Sequence, residues 1–317
     1  MEIAVKKTTE LTSEEISQIC DLFNNVFEDH HTDPQSFLRT YSRTPVGYSL
    51  HSIMKNDGQI VGVHNNIPYY YYFDNRKYLF AYGGGTMVLK QYRDFFSFRK
   101  LYLASEKYAR DNGIAFLFGF PNENSHTVFV KGFGHKDMSR LKIYALPLRL
   151  ESFRPSLKVL NPFVHLLSLC MIFFSEISRS KKQILPLVRK DPDTFYSSRF
   201  QSSGYRYIQK NDYKAIYKIS VQNGIKTAFL LDVYPMSIYS FDSAVRNIFR
   251  KVKNEGVELI MYVGNLSFSP KSMLKIPHKY EPKKFHFTGL ILNTEEVDDR
   301  IYETDNWEVG LANYDLI

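Results

Sequence analysis

The chain has 317 residues, of which 44% are hydrophobic and 23% charged, with 16 glycines and 13 prolines. This composition is typical of a globular protein and excludes a disordered chain, a collagen-like chain and a disulfide-rich scaffold. The formal net charge is +8, and residues 151–294 hold most of the excess, with 22 Lys/Arg against 10 Asp/Glu. Such a segment favours a phosphorylated cofactor, a nucleic acid or a membrane surface as partner, although a solvated lysine-rich surface explains the same charge.

The cysteines and histidines indicate the redox compartment and whether the chain holds a metal. Cys20 and Cys170 stand far apart in the chain, which predicts a reducing compartment and neither a disulfide framework nor a thiolate metal site. The polar start of the chain does not resemble a signal peptide, so we expect a cytoplasmic protein. One cluster lacks the spacing of a metal site and is interpreted as a polar loop, so no metal is expected. It consists of Asp29, His30, His31 and Asp33.

The first predicted element is an amphipathic helix over residues 12–27, with Thr12 or Ser13 as N-cap and Glu15 completing a capping box. From residue 59 the residue pattern is typical of β-strands, and it predicts strands at 59–73 and 78–89 joined by a turn. The second run contains three consecutive glycines, residues 83–85. Glycines weaken a strand, so they predict a bulge or the close approach of a ligand.

A helix over residues 96–112 follows and ends at Gly113, and a continuous apolar strand follows at 114–120. Strand, helix and buried strand in this order predict a parallel or mixed sheet with a helical crossover. The loop between the strand ending at Leu89 and the helix aims backbone N–H groups and the positive helix end at one spot. Such a spot binds a pyrophosphate.

The same order recurs in the second half, with a strand at 227–236, a helix at 240–256 and a strand at 257–265. Placing Gly256 on Gly113 aligns these elements with those of the first half and suggests two similar halves, although chance similarity remains the alternative. We therefore predict a domain at 1–150, a linker region at 151–185 and a second domain at 186–317.

The linker region contains an apolar stretch at residues 159–174. Its 16 residues fall short of the ~20 that span a bilayer, so no transmembrane segment is expected. We favour a linker helix packed between the halves. The alternative is an interfacial helix against anionic lipid, suited by the cations Arg179, Lys181 and Lys182.

Three features lie between residues 60 and 135: the strand at 78–89, the segment Val88 to Arg93, and an ending formed by Asn122, Ser125, Phe129, Lys131, Gly132 and Phe133. With these features the stretch resembles the GNAT acetyltransferase fold, whose Val-x-x-x-x-Arg segment corresponds to Val88 to Arg93. This resemblance implies that acetyl-CoA or a related acyl-CoA lies in the splay between strands 81–89 and 114–120. The residues that it implies as donor contacts are Met87, Val88, Leu89, Arg93, Asp94, Phe95, Phe96, Ser97, Phe98, Asn122, Asn124 and Phe129.

The chain departs from the family pattern at two places. The small residues that let backbone approach the phosphates correspond to Phe96 and Phe98. The tyrosine often used as general acid corresponds to Phe129, which has no proton to give.

With two such halves the chain also resembles double-GNAT proteins, and its tail is similar to acyltransferases encoded with surface-polysaccharide genes. The fold class predicted is α/β, with two GNAT-like mixed β-sheet lobes flanked by helices and joined by an apolar linker helix.

Two groups of residues are candidates for the chemistry. Glu123 and His126 follow the strand at 114–120 and are candidate catalytic residues, although a first-turn helical position explains both. His64, Asn66 and Tyr82 are candidate substrate contacts. Polar residues within an apolar strand need partners, which substrate hydroxyls or a cross-strand network with tyrosines would provide.

The function predicted is an N-acyltransferase, foremost an N-acetyltransferase, that moves an acyl group from acyl-CoA to an amine on a small molecule such as an amino sugar or amino acid. DNA is not expected as a partner. The alternative is a GNAT-fold protein that does not use CoA, either an aminoacyl-tRNA-dependent transferase with tRNA as partner or a binding module.

Overall fold

The computed structural model describes residues 1–27, 31–152, 155–177, 180–182, 185–200 and 204–314. Asp29 and His30 of the predicted polar loop, and the cation Arg179, lie outside the described residues. The chain forms two compact units. The first consists of Met1–Ser139, Leu187–Gln201 and Phe285–Asn306, and the second of Arg140–Pro186, Ser202–Lys284 and Trp307–Ile317.

The strands and helices are given in chain order. The strands are β1 Glu2–Lys7, β2 Leu50–Asn56, β3 Gln59–Phe73, β4 Arg76–Val88, β5 Ile114–Gly119, β6 Lys136–Arg140, β7 Lys142–Pro147, β8 Val188–Lys190, β9 Tyr205–Gln209, β10 Lys214–Gln222, β11 Ile225–Tyr234, β12 Leu259–Gly264, β13 Leu274–Lys275 and β14 His286–Ile291. The α-helices are α1 Ser13–Val26, α2 Pro34–Ser42, α3 Phe95–Asp111, α4 Glu123–Thr127, α5 Asn161–Ser175, α6 Pro192–Arg199 and α7 Ile238–Val252.

The sheet of the first unit has the strand order β1-β2-β3-β4-β5-β14-β6, with β8 paired to β3. β4 and β5 are parallel, and α3 connects them, as the strand–helix–strand pattern predicts. The predicted capping box of α1 is present, since Thr12 accepts from the Glu15 amide at 3.2 Å and the Glu15 carboxylate accepts from the Thr12 amide at 3.0 Å. One face of the sheet packs against α1 and α2 through Ile19, Phe37 and Val63, which are buried.

The second unit repeats this arrangement, with the order β13-β7-β12-β11-β10-β9. β11 and β12 are parallel and α7 connects them, with Phe241 and Ile248 buried against Ile260 of the sheet. The fold is therefore mixed α/β, with two mixed sheets flanked by helices, which confirms the predicted fold class.

β7 and β14 exchange places relative to their position in sequence. β7 follows the first half of the chain but pairs with β12 of the second unit. β14 follows the second half but pairs with β5 of the first unit. The two units consequently interleave along the chain, whereas the predicted domains, 1–150 and 186–317, follow one another.

α5 leaves most of its apolar side chains exposed, contrary to the expectation of a packed linker helix. Of its residues, Ser168, Ile172 and Ser175 are buried, whereas Phe163 and Phe173 are 71% and 66% exposed. The apolar pattern predicted the helix correctly but not the surface that the helix presents.

Candidate functional site

β4 continues beyond the last residue of β5, and we call the space beside this part of β4 the gap. The parallel pairing runs from Leu79↔Ile114 to Tyr82↔Phe118. β5 then ends at Gly119, whereas β4 continues to Val88. In the part of the chain that the structure describes, the backbone of β4 beyond Tyr82 therefore faces this gap without a β5 partner, and this is the position of the splay expected from the resemblance.

The glycine run forms a bulge at the mouth of this gap. Gly85 has a φ of +63°, and the register between β3 and β4 shifts between Val63 and Asn65. The buried Asn65 donates to the Gly85 carbonyl at 3.2 Å and to the Tyr41 hydroxyl at 3.1 Å. A glycine is required at this position because an added Cβ would lie 2.7 Å from the Tyr41 hydroxyl.

His51 extends this hydrogen-bonded network away from the bulge. Its Nδ1 lies 2.8 Å from Oδ1 of Asn65, which is an acceptor, so Nδ1 donates and Nε2 accepts from the Thr8 hydroxyl at 2.8 Å. Burial lowers the pKa of His51 to about 4, so the ring is neutral at pH 7. The network thus holds the bulge through neutral, buried groups.

The candidate substrate contacts His64 and Asn66 lie on the opposite face of β3, each 1% exposed. His64 Nδ1 lies 2.7 Å from the Thr86 hydroxyl, and Asn66 donates to the Ser105 hydroxyl on α3 at 2.7 Å. Their other polar atoms, His64 Nε2 and Asn66 Oδ1, are buried and make no hydrogen bond of good geometry with the described residues. A Cβ on Gly83 would lie 3.4 Å from Asn66 Oδ1, so these atoms border the backbone where β4 leaves β5.

Tyr82, the third candidate substrate contact, is 6% exposed and packs against Phe118 and Phe120. Burial lowers the pKa of His64 to about 4, so His64 is neutral at pH 7. His64 and Asn66 therefore lie on the face of the sheet that packs against α3, whereas Tyr82, which pairs with Ile67, lies on the other face. Direct contact of any of them with a substrate stays a prediction.

The N-terminus of α3 carries an anion of its own. Asp94 is the N-cap, and its carboxylate accepts from the Ser97 amide at 2.9 Å and from the Ser97 hydroxyl at 2.5 Å. These hydrogen bonds from Ser97 hold the pKa of Asp94 below its usual value. Arg93 donates from Nε to the Val88 carbonyl at 2.7 Å, which places its guanidinium beside the end of β4. A pyrophosphate bound here would be attracted by the Arg93 guanidinium and by the positive end of the helix dipole. The Asp94 carboxylate would repel it.

The two bulky residues of the α3 loop differ in their surroundings. Phe96 is 75% exposed, whereas Phe98 is partly buried and packs edge-to-face on Phe133 and Phe129, with ring centroids 5.0 and 6.0 Å apart. Phe98 and Phe129 therefore belong to one aromatic cluster between α3 and the segment after α4. Met87 and Val88 of β4 are buried in the sheet, with Leu89 directly after them.

Asn122 has a structural role at the start of α4. Its Oδ1 accepts from the amides of Asn124 and Ser125 at 3.1 and 3.0 Å, which makes it the N-cap, while Asn124 itself is exposed. The Asn122 side chain is therefore occupied by the helix that presents Glu123 and His126.

Four titratable side chains meet beyond the carboxyl end of β5. His126 Nε2 lies 3.2 Å from Asp137 Oδ2, and His286 Nε2 lies 3.4 Å from Glu123 Oε1. The two imidazole rings are stacked with centroids 3.9 Å apart. We call Glu123, His126, Asp137 and His286 the four-residue cluster.

Two of these four residues are predictable from the sequence. Glu123 and His126 were predicted from their place after β5, whereas Asp137 and His286 were missed. His286 reaches the cluster because β14 pairs antiparallel with β5, with Thr288 opposite Gly119. No local spacing signals this pairing, since His286 and His126 lie far apart in the sequence.

The cluster has two chemical capacities. The ligand atoms of His126, Asp137 and His286 all lie within 4.8 Å of one another, and two imidazoles with a carboxylate form a common ligand set for Zn²⁺. Without a metal, stacked imidazoles between two carboxylates accept and pass on protons. The expectation that the protein uses no metal stays a prediction.

A family model and solved structures are similar to this chain. Residues 7–136 match the acetyltransferase (GNAT) domain. The match contains the gap, the α3 loop and two members of the four-residue cluster, Glu123 and His126. No curated protein matches the chain.

Solved structures of GNAT proteins share the fold over most of the chain. A GCN5-related N-acetyltransferase from Anabaena variabilis has a TM-score of 0.56 at 10% identity, covering 92% of this chain and 74% of its own. A probable N-acyltransferase from Enterococcus faecalis has a TM-score of 0.58 at 12% identity, covering 93% and 74%. A GCN5-related N-acetyltransferase from Kribbella flavida has a TM-score of 0.56 at 13% identity, covering 92% and 72%. At these identities the likeness shows the GNAT fold alone.

In the second unit the pairing of the two parallel strands also ends early, but residues of the same unit contact both strands there. β11 and β12 pair only from Thr227↔Leu259 to Phe229↔Met261. The segment 307–314 bridges to the end of β12 through Gly310 and Gly264, and the Asn265 amide donates to the Val309 carbonyl at 2.9 Å. A short 3-10 turn, Leu311–Asn313, contacts both β11 and β12.

Proposed function

We propose that the protein is an N-acyltransferase that takes an acyl group from acyl-CoA, foremost acetyl-CoA, and transfers it to an amine on a small molecule such as an amino sugar or amino acid. The observation that carries the proposal is the end of β4–β5 pairing at Tyr82↔Phe118, inside the stretch that matches the GNAT domain. The gap leaves strand backbone available to a ligand with amide groups, as the pantetheine arm has.

The donor carbonyl is polarised by the backbone of β4. Past the last pair, Tyr82↔Phe118, β4 has no strand pairing on its β5 side, so backbone N–H groups of this part of β4 donate to the thioester oxygen as negative charge develops on it. The bulge at Gly85, held by Asn65, sets the direction of these groups. Held in this way, the thioester carbon presents one face to the attacking amine.

The four-residue cluster accepts the proton that the acceptor amine loses. The neutral amine nitrogen forms a bond to the acyl carbon, and the carbon–sulfur bond breaks as the CoA thiolate leaves. The amine gives up one proton, which Glu123 or the His126–His286 pair accepts directly or through a water. The thiolate is protonated from the same cluster or from water, since Phe129 has no proton to give.

A second function is favoured by the α3 loop. Asp94 already occupies the helix N-terminus, and phenylalanines stand at positions 96 and 98, where close approach to phosphates favours small residues. With the basic segment 151–294, these features favour a GNAT-fold protein that does not use CoA and instead takes an aminoacyl group from tRNA or only binds its ligand.

Thermal-shift titration separates the two functions. Acetyl-CoA raises the melting temperature if the first function is correct, because a ligand that binds only the folded state stabilises it. Release of the CoA thiol in the presence of a panel of amino sugars and amino acids then identifies the acceptor. If no acyl-CoA changes the melting temperature but tRNA raises it, the second function is favoured over the first.

We also propose a double-GNAT architecture for the whole chain and a cytoplasmic enzyme associated with surface-polysaccharide biosynthesis. The architecture is supported by the repeated order of elements and by the parallel pairs β4–β5 and β11–β12, each connected by a helix. The association is supported by the resemblance of the tail. Assaying acyl transfer to amino sugars carried on nucleoside diphosphates tests it.

A further inference from the structure

We propose that α5 is a membrane-binding helix, which lies in the surface of an anionic lipid bilayer with its exposed side chains among the acyl chains. The helical segment Ser156–Ser175 is long and apolar enough to cross a membrane, judged by length and composition. Only 17% of its most apolar 18-residue stretch is buried. A core helix of a soluble protein has a similar composition and is mostly buried. Here the apolar surface is left in water.

α5 turns mostly small and polar side chains toward the protein and large apolar side chains toward the solvent, which is the reverse of a surface helix in a soluble protein. The side chains turned toward the rest of the second unit are Ser168, Ile172 and Ser175. The large apolar ones turn outward, and at ~100° per residue they occupy about half of the helix circumference. They are Phe163, Leu166, Leu167, Leu169, Phe173 and Phe174, and the flanking residues Val159, Leu160 and Ile177 just outside α5 are exposed as well. A contiguous exposed patch of this kind marks an interaction surface.

The contacts of the inward serines indicate that the helix lies on the membrane and does not span it. Ser168 donates to the carbonyl of Pro147 in β7, and Arg246 of α7 donates to the Ser175 carbonyl at 2.6 Å. These bonds hold one side of α5 along its own unit.

Charge complementarity favours an anionic bilayer over a second protein chain. Residues 149–182 carry six Lys/Arg and two Asp/Glu. Lys158 before the helix and Lys182 after it are exposed, so cations stand at both ends of an uncharged apolar surface. Apolar side chains in the acyl region with flanking cations at the headgroups are the pattern of an interfacial helix.

Vesicle flotation tests the proposal without an acyl donor, so the result is independent of the transferase activity. The protein is mixed with vesicles of phosphatidylcholine alone or of phosphatidylcholine with phosphatidylglycerol. We expect binding to the anionic vesicles at least about tenfold stronger than to the neutral ones. Phe163→Gln with Phe173→Gln should reduce this binding by at least about tenfold, since both positions then lose the free energy gained in the acyl region.

A matched control replaces apolar side chains of similar exposure elsewhere in the second unit. Val221→Gln with Tyr280→Gln, at 63% and 66% exposure, should float as the wild type does. Lys158→Glu with Lys182→Glu should remove the preference for anionic vesicles. All the replaced side chains are exposed, so we expect each variant to fold, and circular dichroism checks this.

The native cysteines provide a second readout. Cys170 lies on the exposed side of α5, whereas Cys20 is buried. An environment-sensitive fluorophore on Cys170 should shift its emission to the blue when anionic vesicles are added. Three results overturn the proposal: a wild type that stays in the aqueous fraction, an unshifted fluorophore, or a lipid-free dimer that Phe163→Gln with Phe173→Gln dissociates, which would assign the surface to a second copy.

Discussion

Gly85 shows how a single residue shapes the candidate site, because its backbone conformation is one that other residues rarely adopt. We predict that Gly85→Ala destabilises the fold more than Gly58→Ala, although both glycines have positive φ. A Cβ on Gly58 meets no atom within 4 Å, so that variant costs only the backbone strain of about 1–2 kcal/mol. A Cβ on Gly85 displaces Tyr41 and Asn65 and breaks their hydrogen bonds, which adds about 1–2 kcal/mol.

Denaturant unfolding of the two glycine variants measures this difference. Equal losses of stability would show that the bulge can relax and that Asn65 does not hold it.

Three buried histidines make the stability depend on pH. Burial lowers the pKa of His51 and His64 to about 4 and that of His135 to about 3. In the unfolded chain they titrate near pH 6.5, so below this pH the unfolded state binds protons that the folded state does not. The free energy of unfolding should therefore fall from pH 6.5 to about 4, by up to about 1.4 kcal/mol per pH unit for each histidine.

Unfolding curves at a series of pH values check this dependence. His135→Gln, which retains a polar partner for the Tyr102 hydroxyl, should reduce the slope by about a third. The pKa of Glu15 is lowered to about 2 by hydrogen bonds from Lys6, Thr12 and Lys55 that outweigh its desolvation, so its contribution is lost only below about pH 4.5. A stability that stays constant from pH 6.5 to 4 contradicts the prediction.

The four-residue cluster gives a prediction for catalysis. Glu123→Gln and His286→Gln should each lower kcat, by about 10²–10⁴-fold for the group that accepts the amine proton, and should leave the KM for acyl-CoA nearly unchanged. Glu295→Gln, an exposed glutamate of the same unit, is the matched control and should retain activity. Activity that survives both cluster substitutions would remove the cluster from the proton path.

At the scale of elements, the start of α3 determines how well an anion binds. Asp94→Asn keeps an N-cap acceptor but removes the negative charge, so we predict that the affinity for acyl-CoA rises about two- to fivefold while the melting temperature barely changes. Asp33 caps α2 in the same way, accepting from Gln35 and Ser36, so Asp33→Asn is the matched control. Isothermal titration calorimetry measures both, and an unchanged or weakened affinity in Asp94→Asn contradicts a phosphate site at α3.

The elements that could be predicted from sequence are those defined by local patterns. The run at 59–73 became β3, the helix at 96–112 became α3 within a residue at each end, and the apolar run at 114–120 became β5. Alternation, capping and glycine placement depend on neighbours in sequence, so they are readable from it. The place of β14 beside β5 depends on pairing between distant parts of the chain, which is why His286 and Asp137 could not be predicted.

At the scale of the whole molecule, the sequence predicts the repeated order of strands and helices. It does not predict how the two parallel strand pairs differ. In each unit the pairing of two parallel strands ends before the carboxyl end of the first strand, at Phe229↔Met261 and at Tyr82↔Phe118. In the second unit the segment 307–314 contacts both strands of that pair. A repeat in sequence therefore predicts two similar folds but not two equal sites.

Hydrogen–deuterium exchange with and without acetyl-CoA tests the central claim, that the donor binds in the gap of the first unit. Backbone amides that bind a ligand are protected from exchange. We predict protection at residues 83–98 and at the end of β5, with no change in β11 and β12. Protection at β11 and β12, or unchanged exchange at residues 83–98 under saturating acetyl-CoA, would contradict the account.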